Sequence, residues 1–322
     1  PASRAIPPPL PVRAPMNPLR GIALKILSVL VFTLMAICIK ASAPHVPPGE
    51  RVFFRSFFAV PVILAGLVAT RRLRYGLNTR NPLGHFWRGL VGTSSMGLGF
   101  TALGLLPLPE ATAIGYAAPL LTVIFAAMFL GEQVRAFRLT AVFVGLAGVV
   151  IVLAPNLTVT TVDAASKLQV LGAMAALLGA VFAALAQVFV RKLIYTEPTS
   201  AIVFWFSVTA SLLALVTLPF GWVVPTAREA ALLVGAGLLG GVGQMLLTES
   251  YRHAETGVIA PFEYVSMLLA LALGYALFGE VPTGTMLLGA ALVVAAGLFI
   301  LWRERRLGIR RVASRKVMTP QG

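Results

Sequence analysis

The chain has 322 residues, of which 58% are hydrophobic and only 11% charged, and its mean hydropathy is +0.89. A soluble chain carries about a quarter charged residues; this one lacks the polar groups to cover its own surface, so lipid must cover it. The net charge of +15 does not indicate nucleic acid, because the cations sit between apolar stretches and at the C-terminus, where membrane topology accounts for them.

Residues 1–18 are Pro-rich and polar and read as a disordered cytoplasmic segment, with Met16 as an alternative start in MNPLRG. Ten apolar stretches follow, near 20–40, 51–70, 85–105, 111–130, 137–154, 168–190, 200–220, 230–248, 257–278 and 284–302. Each approaches the ~20 helical residues that span a hydrocarbon core. The first is longer than the apolar run of a signal peptide, and Lys40 directly precedes Ala41-Ser42-Ala43, so it reads as a retained helix. The single cysteine, Cys38, lies inside it and offers no disulfide pair and no Cys-rich metal framework. Loop 71–88 carries Arg71, Arg72, Arg74, Arg80 and Arg88; later alternate loops carry Arg135, Arg138, Arg191, Lys192 and Arg252; the tail at 303–322 adds seven more cations. The opposite loops carry only Lys40, Arg51, Lys167 and Arg228. This bias predicts that both termini are cytoplasmic and that the number of crossings is even.

The stretches fall into two groups of five. Residues 21–40 lie over 172–191 at an offset of 151, which also pairs Pro47 with Pro198 and Phe53 with Phe204. Each group ends with a long apolar run into Gly-Glu, FLGEQ at 129–133 and LFGEV at 277–281, followed by a last helix. Because five is odd, the second copy enters the membrane from the opposite side. This is the inverted repeat on which many alternating-access transporters are built. The expected fold is therefore all-α, with ten transmembrane helices in a first repeat over 19–154 and a second over 155–302. Glu132 and Glu280 would be symmetry partners on opposite faces, in structural roles at helix ends.

The two Gly-Glu helix ends, Pro119 ahead of Gly131-Glu132, and APFEYVSMLLALALGYALFGEVP at 260–282 resemble the drug/metabolite transporter superfamily, EamA type, from Leu19 to Trp302. The resemblance implies two inverted five-helix repeats in a bacterial inner membrane. It also implies a central cavity lined by the first four helices of each repeat, with the fifth and tenth helices peripheral. Within the superfamily the chain is similar to exporters of aromatic and neutral amino acids and to riboflavin permeases.

Ionisable groups inside lipid are costly and invite a functional reading. Glu263, in Ala-Pro-Phe-Glu-Tyr, either meets a substrate ammonium or coupling proton, or is held by a neighbouring helix or structural cation; Pro261 loosens the helix beside it. Arg55 either snorkels outward or turns its planar fork to a substrate carboxylate. For Lys25 and Lys40, near opposite ends of the first helix, snorkelling is the default. Gln187 and Gln244 serve interhelical bonding or substrate contact. Tyr116 and Tyr264, both near prolines, are the preferred aromatic contacts, with Trp87 and Trp205 as further candidates and Trp222 and Trp302 at the interfaces. No Walker A loop and no His-Glu-x-x-His occurs, and no cofactor or metal is expected.

The predicted function is secondary-active transport of a small metabolite, first export of amino acids including aromatic ones and second uptake of riboflavin or another flat heterocycle. An intramembrane enzyme is the rival class. The partners are the substrate and the bilayer, with proton coupling and a homodimer compatible with the pattern.

Overall fold

The computed structural model describes residues 17–71, 73–130, 136–157, 164–193, 196–253 and 260–317. The expected disordered segment 1–18 falls almost wholly outside them, as does Glu132. Among the described residues all regular structure is helical: α1 Pro18–Ser42, α2 Pro48–Phe57, α3 Ala59–Ala69, α4 Leu73–Gly76, α5 Pro82–Leu105, α6 Leu108–Gly115, α7 Ala117–Leu130, α8 Ala136–Leu157, α9 Ala164–Leu193, α10 Thr199–Leu215, α11 Ala227–His253, α12 Val265–Phe278 and α13 Gly284–Val317. Short 3-10 turns cover Leu218–Phe220 and Ala260–Tyr264.

Local sequence sets the starts and breaks. Asn17 and Asn81 cap α1 and α5 by accepting from the Arg20 and Gly84 backbone N–H groups, each with Pro at the first helical position. The second expected stretch is divided at Phe58 and the fourth at Tyr116, each three residues before a proline, Pro61 and Pro119. A proline removes one N–H and crowds the carbonyl four residues back, which interrupts the helix there. At the end of α12, Gly279 adopts a left-handed conformation (φ 65°), and the Glu280 N–H bonds back to the Gly274 carbonyl. The Gly-Glu pair thus turns the chain sharply and fixes where the Glu280 carboxylate goes.

Among the described residues, seven segments are long and apolar enough to cross a membrane: Pro18–Ser42, Pro48–Ala69, Leu108–Phe129, Ala136–Pro155, Ser166–Val190, Ala227–Leu247 and Gly284–Arg303. Ser200–Leu215 and Phe262–Phe278 are shorter apolar helices. Large apolar side chains such as Phe143, Met174 and Leu268 stay exposed on this surface, as a lipid-covered protein requires. The last helix runs to Val317, well past the expected end at 302, because the charged stretch after Trp302 is rich in Arg, a good helix former, and free of proline.

Packing relates the two halves. α1 lies against α11, and α5 against α9: the first long helix of each half packs on the third of the other. α10 packs on α2, α6 on α12, and α8 on α13. The α8–α13 crossing is very close, since a side chain added at Gly148 would meet the Gly289 carbonyl and one at Gly289 the Gly148 carbonyl. A core of Ile114, Leu120, Val142, Met286 and Val293 holds α6, α7, α8 and α13 together.

Candidate functional site

Two helix breaks meet inside the bundle. Tyr116 stands between α6 and α7, and Tyr264 between the Ala260–Tyr264 turn and α12. Their rings pack edge to face, with centroids 5.2 Å apart. The buried Tyr116 hydroxyl is hydrogen-bonded to Ser266 Oγ and lies 3.4 Å from the Glu263 carbonyl, while the Tyr264 hydroxyl end occupies the space a side chain at Gly297 would need. The spacing from Tyr116 to Tyr264 is 148 residues, the same as from Glu132 to Glu280.

Glu263 lies in the 3-10 turn before α12 rather than two turns into an α-helix. Its carboxylate is 3.4 Å from Lys25 Nζ. The lysine side chain is only 3% exposed and the glutamate 52%. Lys25 therefore does not snorkel: it points inward to the glutamate. The pair borders a cavity of 190 Å³ whose walls include Phe32, Thr33, Thr112, Leu247 and Ser266. This chamber has one charged end, hydroxyl groups in the wall and apolar faces from α1, α11 and α12. That combination suits a small solute carrying both charge and apolar surface.

Lys40, at the other end of α1, does not snorkel either. It is 2.8 Å from Glu280, donates to the Leu103 and Leu106 carbonyls and lies 5.4 Å from the Phe278 ring centroid. Glu280 also accepts from the Leu108 N–H at the start of α6, where a carboxylate is favoured by the helix dipole. This cluster fastens the ends of α1, α5 and α12 to the start of α6.

Arg55 turns inward and is 6% exposed. Its guanidinium lies 5.8 Å from the Phe206 ring centroid and against Gly240 of α11, beside the Met35 thioether. Arg88, expected in a loop, is on α5; its Cζ is 3.6 Å from the same Phe206 centroid.

The remaining candidates are apart from this chamber. Gln244 is half-buried in α11, one turn before Leu247, which lines the cavity. Gln187 is exposed on α9. Trp87 is 46% exposed and packs on Phe86. Trp205 donates from Nε1 to the Leu77 carbonyl at 3.1 Å, tying α10 to the segment after α4. Sequence reasoning missed Lys25, Arg88 and Ser266. Asn81-Pro82, a helix-start signal, could have settled that Arg88, where loop 71–88 overlaps the stretch 85–105, belongs to the helix.

These features define a multi-pass helical membrane protein with a polar chamber inside, of the drug/metabolite transporter type. The chain belongs to the EamA-like transporter family, whose model matches twice, over residues 19–154 and 170–302. It is 30% identical to the pseudopaline exporter CntI of Pseudomonas aeruginosa, over 86% of this chain and 94% of that one. It is 27% identical to the S-adenosylmethionine uptake transporter of Rickettsia bellii (82% and 87%) and 31% identical to the riboflavin transporter of Rhizobium johnstonii (89% and 90%). A protein of known crystal structure superposes with a TM-score of 0.63 at 25% identity, covering 89% of this chain and 98% of the other.

Proposed function

We propose that this chain is a secondary-active exporter in a bacterial inner membrane, working by alternating access on amino acids and amino-acid-derived metabolites. The observation that carries the substrate class is the Lys25–Glu263 pair at the wall of a chamber whose Ser266 is hydrogen-bonded to the Tyr116 hydroxyl behind it. A substrate ammonium competes with Lys25 for the half-exposed carboxylate, and an aromatic or flat group packs beside Tyr116 and Tyr264. S-adenosylmethionine, named for one relative, combines an amino-acid head with a flat heterocycle, which suits the same wall.

The mechanism is the rocking of two inverted five-helix repeats. Three observations support it: the exchange symmetry of the α1–α11 and α5–α9 contacts, the equal 148-residue sequence spacing of Tyr116 from Tyr264 and of Glu132 from Glu280, and family matches that begin 151 residues apart at 19 and 170. In this reading the ten crossings are the seven long apolar segments plus α5, α10 and Phe262–Phe278, with both termini cytoplasmic. The riboflavin reading rests on the tyrosine pair and on the relative named for that substrate.

The test is transport by purified protein in proteoliposomes, with labelled tryptophan, S-adenosylmethionine and riboflavin offered singly and in competition. Tryptophan or S-adenosylmethionine should move unchanged down an imposed gradient. Movement of riboflavin alone would select the second reading, and chemical conversion of a solute would establish an enzyme.

A further inference from the structure

Two arginines share one ring in the bundle interior. Phe206, on α10, has the Arg88 guanidinium 3.6 Å from its centroid and that of Arg55 at 5.8 Å. Arg55 comes from α2, within the apolar segment Pro48–Ala69, and Arg88 from α5. Arg55 Nε and Arg88 Nε and Nη1 are buried without a hydrogen-bond partner, as are the hydroxyls of Ser56 and Ser207, the residues next to Arg55 and Phe206. Among the described residues no carboxylate lies within ion-pair distance of either guanidinium. The contrast with other buried cations is sharp. Lys25 has Glu263, Lys40 has Glu280 and two carbonyls, and Arg51, whose Nε is also unpartnered, still donates from Nη1 to the Phe100 carbonyl.

Two cations held together away from water repel each other and lose hydration, and a ring face offsets only part of that. A fork of N–H groups left open inside a protein is complementary to a planar, two-oxygen anion. The arrangement is therefore complete only with an anion in it.

Its position limits what the anion is. Arg55 and Met35 both border Gly240, which sets Arg55 at the level of Met35 on α1, whereas Glu263 is at the level of Lys25. The two levels are ten residues, or about 15 Å, apart along the helix. In an α-amino acid a single carbon separates ammonium from carboxylate, so its two charges cannot occupy Glu263 and the arginines at once.

We infer that Arg55 and Arg88, with Phe206 between them, form an anion seat that binds a carboxylate of the transported solute at a second station, separate from the Glu263 chamber. This rests on the transport reading above. A solute with one carboxylate uses the two stations in succession; a longer one with a distal carboxylate spans them.

The test needs no transport. Purified protein in discs of neutral lipid is followed by thermal unfolding at constant ionic strength, with three probe pairs differing in a carboxylate: tryptophan and tryptamine, S-adenosylmethionine and its decarboxylated form, succinate and succinamide. At least one carboxylate should raise the unfolding temperature above its partner, and Arg88→Met and Arg55→Met should each weaken that response at least tenfold in half-saturating concentration. Arg88→Lys, which keeps the charge but loses the fork, should weaken it less than Arg88→Met. Without ligand, Arg88→Met should unfold at the same or a higher temperature than wild type, since an uncompensated buried charge is gone. A lower temperature for ligand-free Arg88→Met makes Arg88 a structural residue and overturns the assignment. So does equal stabilisation by every pair. If anionic phospholipid in the discs reproduces the shift and abolishes the probe response, the seat holds a lipid phosphate and the solute assignment is wrong. A protein that binds carboxylates here yet moves no solute in proteoliposomes overturns the transport reading and leaves the seat standing.

Discussion

α1 carries two lysines, and each meets a glutamate at one end of α12, yet the two pairs differ in nearly every physical respect. Lys40–Glu280 is short and sealed, with side chains 12% and 14% exposed, and both partners make further bonds to backbone groups at helix ends. Lys25–Glu263 is longer at 3.4 Å, and its carboxylate is half open to a cavity. An ion pair with all its other donors and acceptors satisfied is a fastener, because opening it strands charge away from water. A carboxylate that faces open space can meet a passing cation while its buried partner stays beside it, which is what a site for such a cation requires. The same two residue types on the same two helices thus serve opposite ends, and the surroundings decide which.

The largest expected effect breaks the fastener. Glu280→Gln leaves Lys40 without its carboxylate and weakens the hold on the start of α6. Loss of one partner of a buried pair is strongly destabilising, here by about 3 kcal/mol, measurable by detergent-induced unfolding in mixed micelles. The apparent affinity for solute should hold. Intact stability with transport abolished would reverse the roles assigned to the two pairs.

Glu263→Gln should act on transport as well as stability. It leaves the 3%-exposed Lys25 ammonium without this carboxylate, so unfolding should also shift, by about 1–3 kcal/mol, and transport should fall at least tenfold, about 1.4 kcal/mol in binding terms. Any pH dependence that arises from this carboxylate disappears with it. Unchanged transport with an unchanged pH profile removes Glu263 from the site.

The contrast between these pairs was only half legible in the sequence. The apolar stretches, and the proline-linked breaks at Phe58 and Tyr116, follow from hydropathy and from the geometry of Pro61 and Pro119. Tyr116 and Tyr264 stood out because Pro119 and Pro261 lie beside them in helices that the family resemblance pairs; that their rings touch did not follow from the sequence. The lysines did not. A lysine near a helix end reaches the interface easily, and nothing local in Lys25 reveals that its partner lies on a distant segment. Arg88 was hidden for another reason: it lies where loop 71–88 and the apolar stretch 85–105 overlap and was counted with the loop cations, although Asn81 and Pro82 start α5 well before it. In the other direction, α13 outruns its apolar stretch because helix propensity persists after hydropathy falls.

Below both charged pairs in expected effect is Tyr116. Tyr116→Phe keeps the ring packed on Tyr264 and removes the bond to Ser266, a change of about 1 kcal/mol. Apparent solute affinity should weaken about fivefold, and Ser266→Ala should add little to it, because both changes remove one interaction. Additive losses would mean that each hydroxyl meets the solute independently.

The smallest expected effect concerns Trp205. As a candidate substrate contact its ring would stack on the solute, and Trp205→Phe would change affinity. The structure gives its Nε1 a partner, the Leu77 carbonyl at 3.1 Å, and sets the ring edge-on to Phe204. An indole donor engaged with a backbone carbonyl anchors α10 to the segment between α4 and α5, and phenylalanine keeps most of the apolar contact while losing that bond. The expected loss is therefore about 0.5–1 kcal/mol of stability, with half-saturating solute concentration unchanged. An affinity change larger than that produced by Tyr116→Phe would move the site from the α1–α12 chamber toward α10, and with it the distinction between a sealed and an open ion pair on α1 would lose its functional meaning.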